Sequence, residues 1–475
     1  MPTHRLPLLT LASCIFLPVM FSLSAALPAQ EKTETERKAR VEKFDRKHVR
    51  YTTGMSTDTS KDFLKVPDYY TRKDDFDVAK TPPEVDFAPV RGLLPEFFPE
   101  DNKGLWSQWA EVTRGPNGRF YMASGDHRCK DGQVFITEYD PVKRDQRIVV
   151  NVGKSCGWRK GQYVDGKIHG RMDIMPDGTL VAATWNGSTI QQDWIDHGYM
   201  KGGHLLTYNV FTGETVYHGT PFIGDSWPYH VTDTQTGVFM AVGAEGYFMA
   251  YDVRKRKLLY GGMPPDGIRW NVRATLLDER TGVLYTTDTS SPENVFACYN
   301  QRSNSFRRLA CKVPPSPVSG KAAPLRAYTE IRTPDNLFYC MDSAGTMFRF
   351  YPDEERTELI GINWDKAGVY TTSLDISPKF RYVYYVPAAH GEAWKLGAPV
   401  VQYDTKTNRR KVIAFLEKFY FETYGYCLGG TFGIELSEDG SLLVIHMNGG
   451  FGSEAARYEH PAIFAVHIPE SERVE

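Results

Sequence analysis

The stretch "MAYDVRKRKLLYGG", Met249 to Gly262, predicts the fold of this chain. It contains a short apolar run, a Tyr-Asp pair with charged residues typical of a turn, and a second apolar run, which together indicate a β-hairpin. Six further stretches share the pattern at spacings of 43 to 69 residues: "ITEYDPVKRDQRIVV", "LTYNVFTGETVYHG", "ACYNQRSNSFRRLA", "FRFYPDEERTELIG", "VQYDTKTNRRKVIAF" and "FAVHIPESERVE". The chain therefore carries one structural unit seven times.

A second hairpin precedes each copy, as in "HVTDTQTGVFMAVG" and "RATLLDERTGVLYTTD". Each unit then has four strands, a to d, and a four-stranded sheet of this size cannot bury both of its faces alone. Radial packing of the units solves this problem and predicts an all-β fold, a seven-bladed β-propeller of four-stranded antiparallel blades over residues 94–475. A β-sandwich is the structural alternative.

Residues 1–93, which precede the repeats, have a different character. The apolar tract Leu6 to Leu27 follows "MPTHR" and ends in small residues, which predicts a signal peptide over residues 1–29 and export to the periplasm or the exterior. A helical or lipid anchor is the alternative, and only then would the chain contact a membrane. Residues 30–93 are charged and poor in aliphatic side chains, and we expect a linker or arm that lies outside the propeller disc or is draped on it.

Charge and cysteine usage exclude several classes of protein. Lys and Arg number 56 against 58 Asp and Glu in 475 residues, so no concentrated positive surface is available for nucleic acid. The chain lacks the CxxC and CxxCH motifs of zinc knuckles, thioredoxin-like sites and covalent haem. Cys129 and Cys156 fall on the same face of the first blade and are candidates for a disulfide. We expect a monomer.

Polar residues gather at positions that meet around the propeller axis. In each blade, the start of strand a and the end of strand b lie at the same axial mouth. The stretch "VDGKIHGRMDIM" places a His-Gly-Arg sequence at such a start. The candidate site residues at this mouth are His127, His169, Arg171, Trp185, His230, Arg273, Tyr328, His390 and Asn448.

These residue types suit chemistry on an anionic sugar. We expect Arg171 and Arg273 to bind a substrate carboxylate beside Trp185 and Asn448, with His169, His230 and Tyr328 transferring protons. The remaining two histidines, His127 and His390, either hold a divalent metal such as Zn, Mn or Ca or orient the substrate. Each residue also has an ordinary structural alternative: a histidine can cap a loop, Arg171 can pair with Asp173, Arg273 with Asp278, and Tyr328 can cap the core.

Five short stretches, "GDHR", "KIHG", "PYH", "YYVPAAHG" and "HPAIFAVHIPESER", together with the signal peptide and the seven units, resemble a group of exported bacterial propellers of unassigned function. More distantly, the layout from about Leu94 onward resembles the seven-bladed polysaccharide lyases, including the oligogalacturonate and ulvan lyases. In those enzymes, histidines around the axial mouth bind a metal or act in catalysis beside Arg and Tyr. The resemblance implies eliminative cleavage of an anionic saccharide.

The resulting hypothesis is a carbohydrate-active lyase that cleaves a uronic-acid-containing saccharide by β-elimination at the mouth. Few carboxylates are predicted there, which weakens the case for a glycoside hydrolase with its two acids. A metal-dependent hydrolase or lactonase and a non-catalytic binding scaffold remain the alternatives.

Overall fold

The structure is a computed structural model that describes residues 54–70, 75–90, 107–126, 130–187, 202–364, 368–451 and 460–474. These residues form seven small sheets, in which neighbouring strands run antiparallel except for one pair at the outer edge of blade 6. The predicted all-β class and the seven-bladed propeller are therefore confirmed. No helix among the described residues is both long and apolar enough to cross a membrane.

Three strands precede the first blade: β1 (Ser56–Thr59), β2 (Asp77–Val78) and β3 (Glu84–Pro89). The strands of blades 1 to 3 follow in chain order: β4 (Ser107–Gln108), β5 (Thr113–Arg114), β6 (Phe120–Gly125), β7 (Val134–Asp140) and β8 (Asp145–Asn151) in blade 1; β9 (Thr179–Ala183), β10 (Leu205–Asn209) and β11 (Thr215–Gly219) in blade 2; β12 (Tyr229–Asp233), β13 (Val238–Val242), β14 (Phe248–Asp252) and β15 (Lys257–Gly262) in blade 3.

The strands of blades 4 to 7 complete the ring: β16 (Leu276–Asp278), β17 (Val283–Thr287), β18 (Val295–Asn300) and β19 (Ser305–Lys312); β20 (Leu325–Tyr328), β21 (Phe338–Asp342), β22 (Thr346–Tyr351) and β23 (Arg356–Ile362); β24 (Asp375–Ile376), β25 (Tyr382–Tyr385), β26 (Pro399–Asp404) and β27 (Arg409–Phe415); β28 (Tyr426–Leu436), β29 (Leu442–Phe451) and β30 (Ala462–His467). The helices are short: α1 (Val152–Ser155), α2 (Glu417–Tyr424), and 3-10 turns at Lys61–Leu64, Pro265–Gly267, Ala393–Leu396 and Glu470–Glu472.

The Tyr-Asp signature of the repeat has a local cause in the turn between strands c and d. In blade 6, the Asp404 carboxylate accepts hydrogen bonds from the backbone N–H groups of Lys406 and Thr407, at 2.9 and 3.3 Å. Asn408 then adopts a left-handed conformation with φ 56° and accepts the Tyr403 hydroxyl at 2.6 Å. An Asx side chain that caps its own turn in this way fixes the hairpin geometry.

Blade 2 departs from the four-strand pattern. Its sheet has three strands, and the expected inner strand makes only isolated bridges, Lys167 with Trp185 and Ile174 with Leu180. The backbone between these bridges turns toward blade 3, where the Arg171 N–H donates to the His230 carbonyl at 2.9 Å. The inner segment of blade 2 therefore pairs little with its own sheet and bonds to the first strand of blade 3 instead.

The ring closes with a strand from the N-terminal part of the chain. We expected the last repeat to end in its own strand d near Ser471, but the chain forms a 3-10 turn there instead, and Pro469 lacks a strand-pairing N–H group. The outer position is taken by β3, which pairs antiparallel with β30 in a register that aligns Phe87 with Phe464. β1 pairs with β3, and β2 pairs in parallel with β27.

Residues 54–90 thus supply strands to two blades, whereas the sequence analysis assigned 30–93 to an arm outside the disc. The stretch "EVDFAPV" has the alternation of a strand, with Val85 and Phe87 facing the core. It was missed because its hydrogen-bonding partner lies almost 380 residues further along the chain.

A buried carboxylate holds this closure together. Asp86 on β3 is fully buried and accepts hydrogen bonds from Thr57 at 2.6 Å, from Tyr139 of blade 1 at 2.7 Å and from the His467 imidazole at 2.9 Å. Burial alone would raise the pKa of Asp86, but the hydrogen bonds from His467, Thr57 and Tyr139 outweigh it and the pKa is lowered. One side chain therefore joins β1, β30 and blade 1.

We predict that Asp86→Ala destabilises the protein by about 3 kcal/mol or more, because it leaves the buried Tyr139 hydroxyl and His467 without their acceptor. Urea unfolding followed by tryptophan fluorescence measures the loss. The control is Asp77→Ala, since Asp77 on β2 pairs with Arg409 between largely exposed side chains and its loss should cost less than about 1 kcal/mol. Equal effects of the two variants would contradict the closing role of Asp86.

Candidate functional site

The inner strands send alternate side chains toward the propeller axis. Successive residues of a strand face opposite sides, so His169, Arg171 and Asp173 of blade 2 all point the same way. Contacts across the axis support this placement. The Arg171 guanidinium lies 3.2 Å from the Glu330 carboxylate of blade 5, and Arg273 of blade 4 lies 3.3 Å from the His169 imidazole. Side chains from different blades therefore meet at the axis in successive layers.

The layer at the start of the inner strands forms a continuous group of rings and cations, which we call the mouth cluster. Its members touch through stacking, cation–π contacts or hydrogen bonds: Trp109, Lys167, His169, Trp185, Arg273, Arg326, Tyr370, His390 and Phe432. They come from blades 1, 2, 4, 5, 6 and 7 or the segments that lead into them. The mouth predicted from sequence thus exists, with a partly different membership.

Three cations of the mouth cluster lie against aromatic rings. The Lys167 ammonium lies 4.4 Å from the centre of the Trp109 ring and 4.7 Å from that of Trp185, and the Arg273 guanidinium lies 5.4 Å from the Trp185 ring. The Arg326 guanidinium lies 5.3 Å from the Tyr370 ring. Cation–π contacts hold these charges in place and do not neutralise them.

Hydrogen bonds, and not carboxylates, hold the two arginines of the mouth cluster among the described residues. Within the described part of the chain, neither Arg273 nor Arg326 forms an ion pair. Arg326 instead donates from Nε to the Tyr370 hydroxyl at 2.6 Å and to the Arg273 carbonyl at 2.9 Å. Glu392 is the acid that acts electrostatically on His390. The mouth cluster is therefore a cationic surface that suits an anionic ligand.

His390 is exposed at the mouth and neutral at physiological pH. Its ring stacks on Tyr370 with centroids 4.5 Å apart and an interplanar angle of 29°. Desolvation by the surrounding protein, followed by the charges of Arg326 and Arg273, lowers the pKa of His390 to about 4. A neutral, accessible imidazole beside cations can accept a proton.

His169 has a different environment. It is almost fully buried, its ring stacks on Trp109 at 6.0 Å and it meets Trp185 edge to face at 5.1 Å. A guanidinium N–H group can only donate, so the 3.3 Å contact with Arg273 makes His169 Nε2 the acceptor. His169 thus orients Arg273, and its Nε2 lone pair is already engaged.

His230 does not join the mouth cluster. Its side chain is fully buried between blades 2 and 3, and Nε2 lies within 3.3 Å of both the amide nitrogen and the carbonyl oxygen of Ala183. Burial lowers the pKa of His230 to about 4. A Cβ atom at Gly170 would lie 2.5 Å from the His230 ring, so the glycine of the His-Gly-Arg sequence makes room for this histidine.

Three other candidates also lie outside the mouth cluster. Arg171 pairs with Asp173, from Nε at 2.6 Å, as the structural alternative anticipated. Tyr328 is buried and donates its hydroxyl to the Thr275 carbonyl at 2.6 Å. Asn448 is fully buried and exchanges two hydrogen bonds with the backbone of Gln108, at 2.8 and 3.1 Å. These contacts give the three residues structural roles.

Of the two predicted metal ligands, the structure describes only His390. His127 and Cys129 lie outside the described residues, so neither the metal role of His127 nor the pairing of Cys129 with Cys156 has a structural description. Within the described ranges, Cys156 is a free thiol, and His, Cys, Asp and Glu side chains form no group of three or more that could hold a metal ion.

Sequence reasoning missed Lys167, Tyr370 and Phe432. Lys167 precedes His169 by two residues and so shares its face, a signal that was available in the alternation of the strand. Tyr370 and Phe432 lie in segments whose inner strands are interrupted, and no residue spacing marks them. Arg326 stands in "LRAYTE" at the start of strand a in the fifth unit, a position that the sequence assigns to the mouth, and Trp109 is one of several tryptophans that could stack on a sugar.

No family model and no curated protein sequence matches this chain. Among solved structures, the chain is similar to U3-55K, with a TM-score of 0.47 and 9% sequence identity over 77% of this chain and 96% of the other.

We predict opposite behaviour for two histidines with similarly lowered pKa values. His230→Ala removes a buried ring and should destabilise the fold by about 2–4 kcal/mol. His390→Ala, at an exposed position, should change stability by about 0.5 kcal/mol or less. Thermal unfolding of both variants tests this, and a His390 variant as unstable as the His230 variant would show that His390 is a packing residue.

Proposed function

We propose that the mouth cluster binds the carboxylate of a uronic-acid-containing saccharide and cleaves the adjoining glycosidic bond by β-elimination. The observation that carries this proposal is an exposed, neutral His390 among Lys167, Arg273 and Arg326. A base beside positive charge is what proton removal next to a carboxylate requires.

Each step has a residue in a suitable position. Arg273 pairs with the carboxylate and makes the neighbouring C–H bond more acidic, and the exposed His390 imidazole takes that proton. The electron pair of the C–H bond forms the new C=C bond, and the C–O bond to the leaving sugar breaks. Tyr370 accepts a hydrogen bond from Arg326, so its own proton is available to the leaving oxygen.

The proposal reassigns the roles predicted from sequence. His390 replaces His169 and His230 as the base, and Tyr370 replaces Tyr328 as the acid. Arg273 keeps its role, and His169 acts on it as a positioning residue. We place the reaction outside the cytoplasm, as the N-terminal segment suggests, with a monomeric protein acting on a soluble anionic saccharide.

We expect at least one substrate from a panel of pectic, ulvan-like, alginate-like and glucuronan-like saccharides to gain the ultraviolet absorbance of an unsaturated uronate. Parallel reactions with a chelator, and then with added Zn, Mn or Ca, test whether a metal takes part. New reducing ends without unsaturation would indicate a hydrolase. Tight binding without cleavage would indicate a scaffold. Either result would contradict the proposal that the protein is a lyase.

On the active substrate, His390→Ala should lower kcat by about 10²–10⁴-fold, the usual contribution of a general base. Because the base must be neutral, kcat/KM of the wild type should rise as the pH increases through about 4 and then level off. Arg356→Ala, a change on the exposed outer strand β23, is the matched control and should leave the rate unchanged. An undiminished rate in the His390 variant would remove the proposed base.

A further inference from the structure

Below the mouth cluster, three short oxygen-to-oxygen contacts in series cross the axis of the propeller. The Glu111 carboxyl of blade 1 lies 2.7 Å from the Tyr229 hydroxyl of blade 3. That hydroxyl lies 2.8 Å from the Tyr328 hydroxyl of blade 5, which lies 2.6 Å from the Thr275 carbonyl oxygen of blade 4. All four residues are buried.

Each of these contacts is short enough to need a proton between its two oxygens. The two tyrosine hydroxyls supply two protons, and the Thr275 carbonyl supplies none. If Glu111 is ionised, the two tyrosine protons fill only two of the three contacts. In the third contact, two oxygen atoms then face each other with lone pairs and no proton between them. A protonated Glu111 completes the series, since it donates to Tyr229, Tyr229 donates to Tyr328, and Tyr328 donates to Thr275.

We propose that Glu111 is protonated in the folded protein at neutral pH and donates the first hydrogen bond of a chain in which every bond points the same way. This chain, which we call the bolt, runs from Glu111 through Tyr229 and Tyr328 to Thr275 and closes the axis of the propeller beneath the mouth cluster. The bolt ties four blades to one another at the axis. It also confines a ligand of the mouth cluster to one face of the propeller.

The electrostatic surroundings of Glu111 agree with this assignment. The charged groups acting on it are Arg171, Arg326 and Asp173, and it acts in turn on Glu330 and on the two tyrosines. Burial raises the pKa of Glu111, and the Tyr229 hydrogen bond and the two arginines only partly offset this effect. Because the folded pKa exceeds the unfolded one, stability from the bolt is present below the unfolded pKa and is lost as the pH rises through the folded pKa.

The test is the infrared difference spectrum of wild type against Glu111→Gln at pH 7, since the glutamine amide can donate to Tyr229 in place of the carboxylic acid. We expect the lost signal to be the carbonyl stretch of a protonated acid. Loss of a carboxylate stretch would overturn the proposal. Glu358→Gln is the matched control, because Arg349 and Tyr351 hold Glu358 ionised and its spectrum should lose a carboxylate stretch.

A second variant tests the proposal if the Glu111→Gln protein does not fold. Tyr328→Phe removes one hydroxyl, so the single remaining contact between Tyr229 and Glu111 needs only the tyrosine proton. The acid stretch of Glu111 should then titrate to carboxylate at a lower pH than in the wild type. An unchanged titration would mean that burial alone protonates Glu111 and that the hydrogen-bond chain does not.

Discussion

The junction between blades 7 and 1 is the constraint on which the rest of the structure depends. Two distant parts of the chain meet there, with β3 placed against β30 and Asp86 bonded to Tyr139 of blade 1. At the inner end of the same junction, a Cβ atom at Gly433 would lie 2.6 Å from the Glu111 Cα atom, so the two inner strands are in direct contact. Asn448 bonds to the Gln108 backbone in the same region. The mouth cluster spans this junction through the 4.6 Å contact of Trp109 with Phe432.

Charge is divided along the axis. Cations occupy the mouth, neutral tyrosines lie in the middle, and carboxylates gather at the far end of the inner strands. Burial raises the pKa of Glu330 to about 8 and that of Asp375 to about 6, and Arg171 offsets only part of this effect. An anion is therefore attracted to the face of the propeller that carries the mouth cluster. His390 and the cations lie together at this face, and Glu330 and Asp375 lie apart from them.

Features that depend on residues close together in the sequence could be predicted from it, and features that depend on residues far apart could not. The Tyr-Asp hairpins are local, since Asp404 caps a turn three residues away, and they identified seven blades correctly. The closing strand was missed because its partners lie at the opposite end of the chain. The mouth was found because strand ends meet at the axis. Three candidates lie outside it. His230 bonds to Ala183 of blade 2 and Tyr328 bonds to Tyr229 across the axis, contacts that no local pattern reveals. Arg171 pairs with Asp173, the alternative that the sequence itself offers.

The central claim is that the mouth cluster recognises a carboxylate, and calorimetric titration tests it most directly. A uronic-acid oligosaccharide and the same oligosaccharide with its carboxyl groups reduced to alcohols differ only in charge. The account predicts that the wild type binds the charged form, that its affinity falls as salt is added, and that the reduced form does not bind. Equal binding of the two forms would contradict it, as would binding of the charged form that persists in a protein carrying Arg273→Ala.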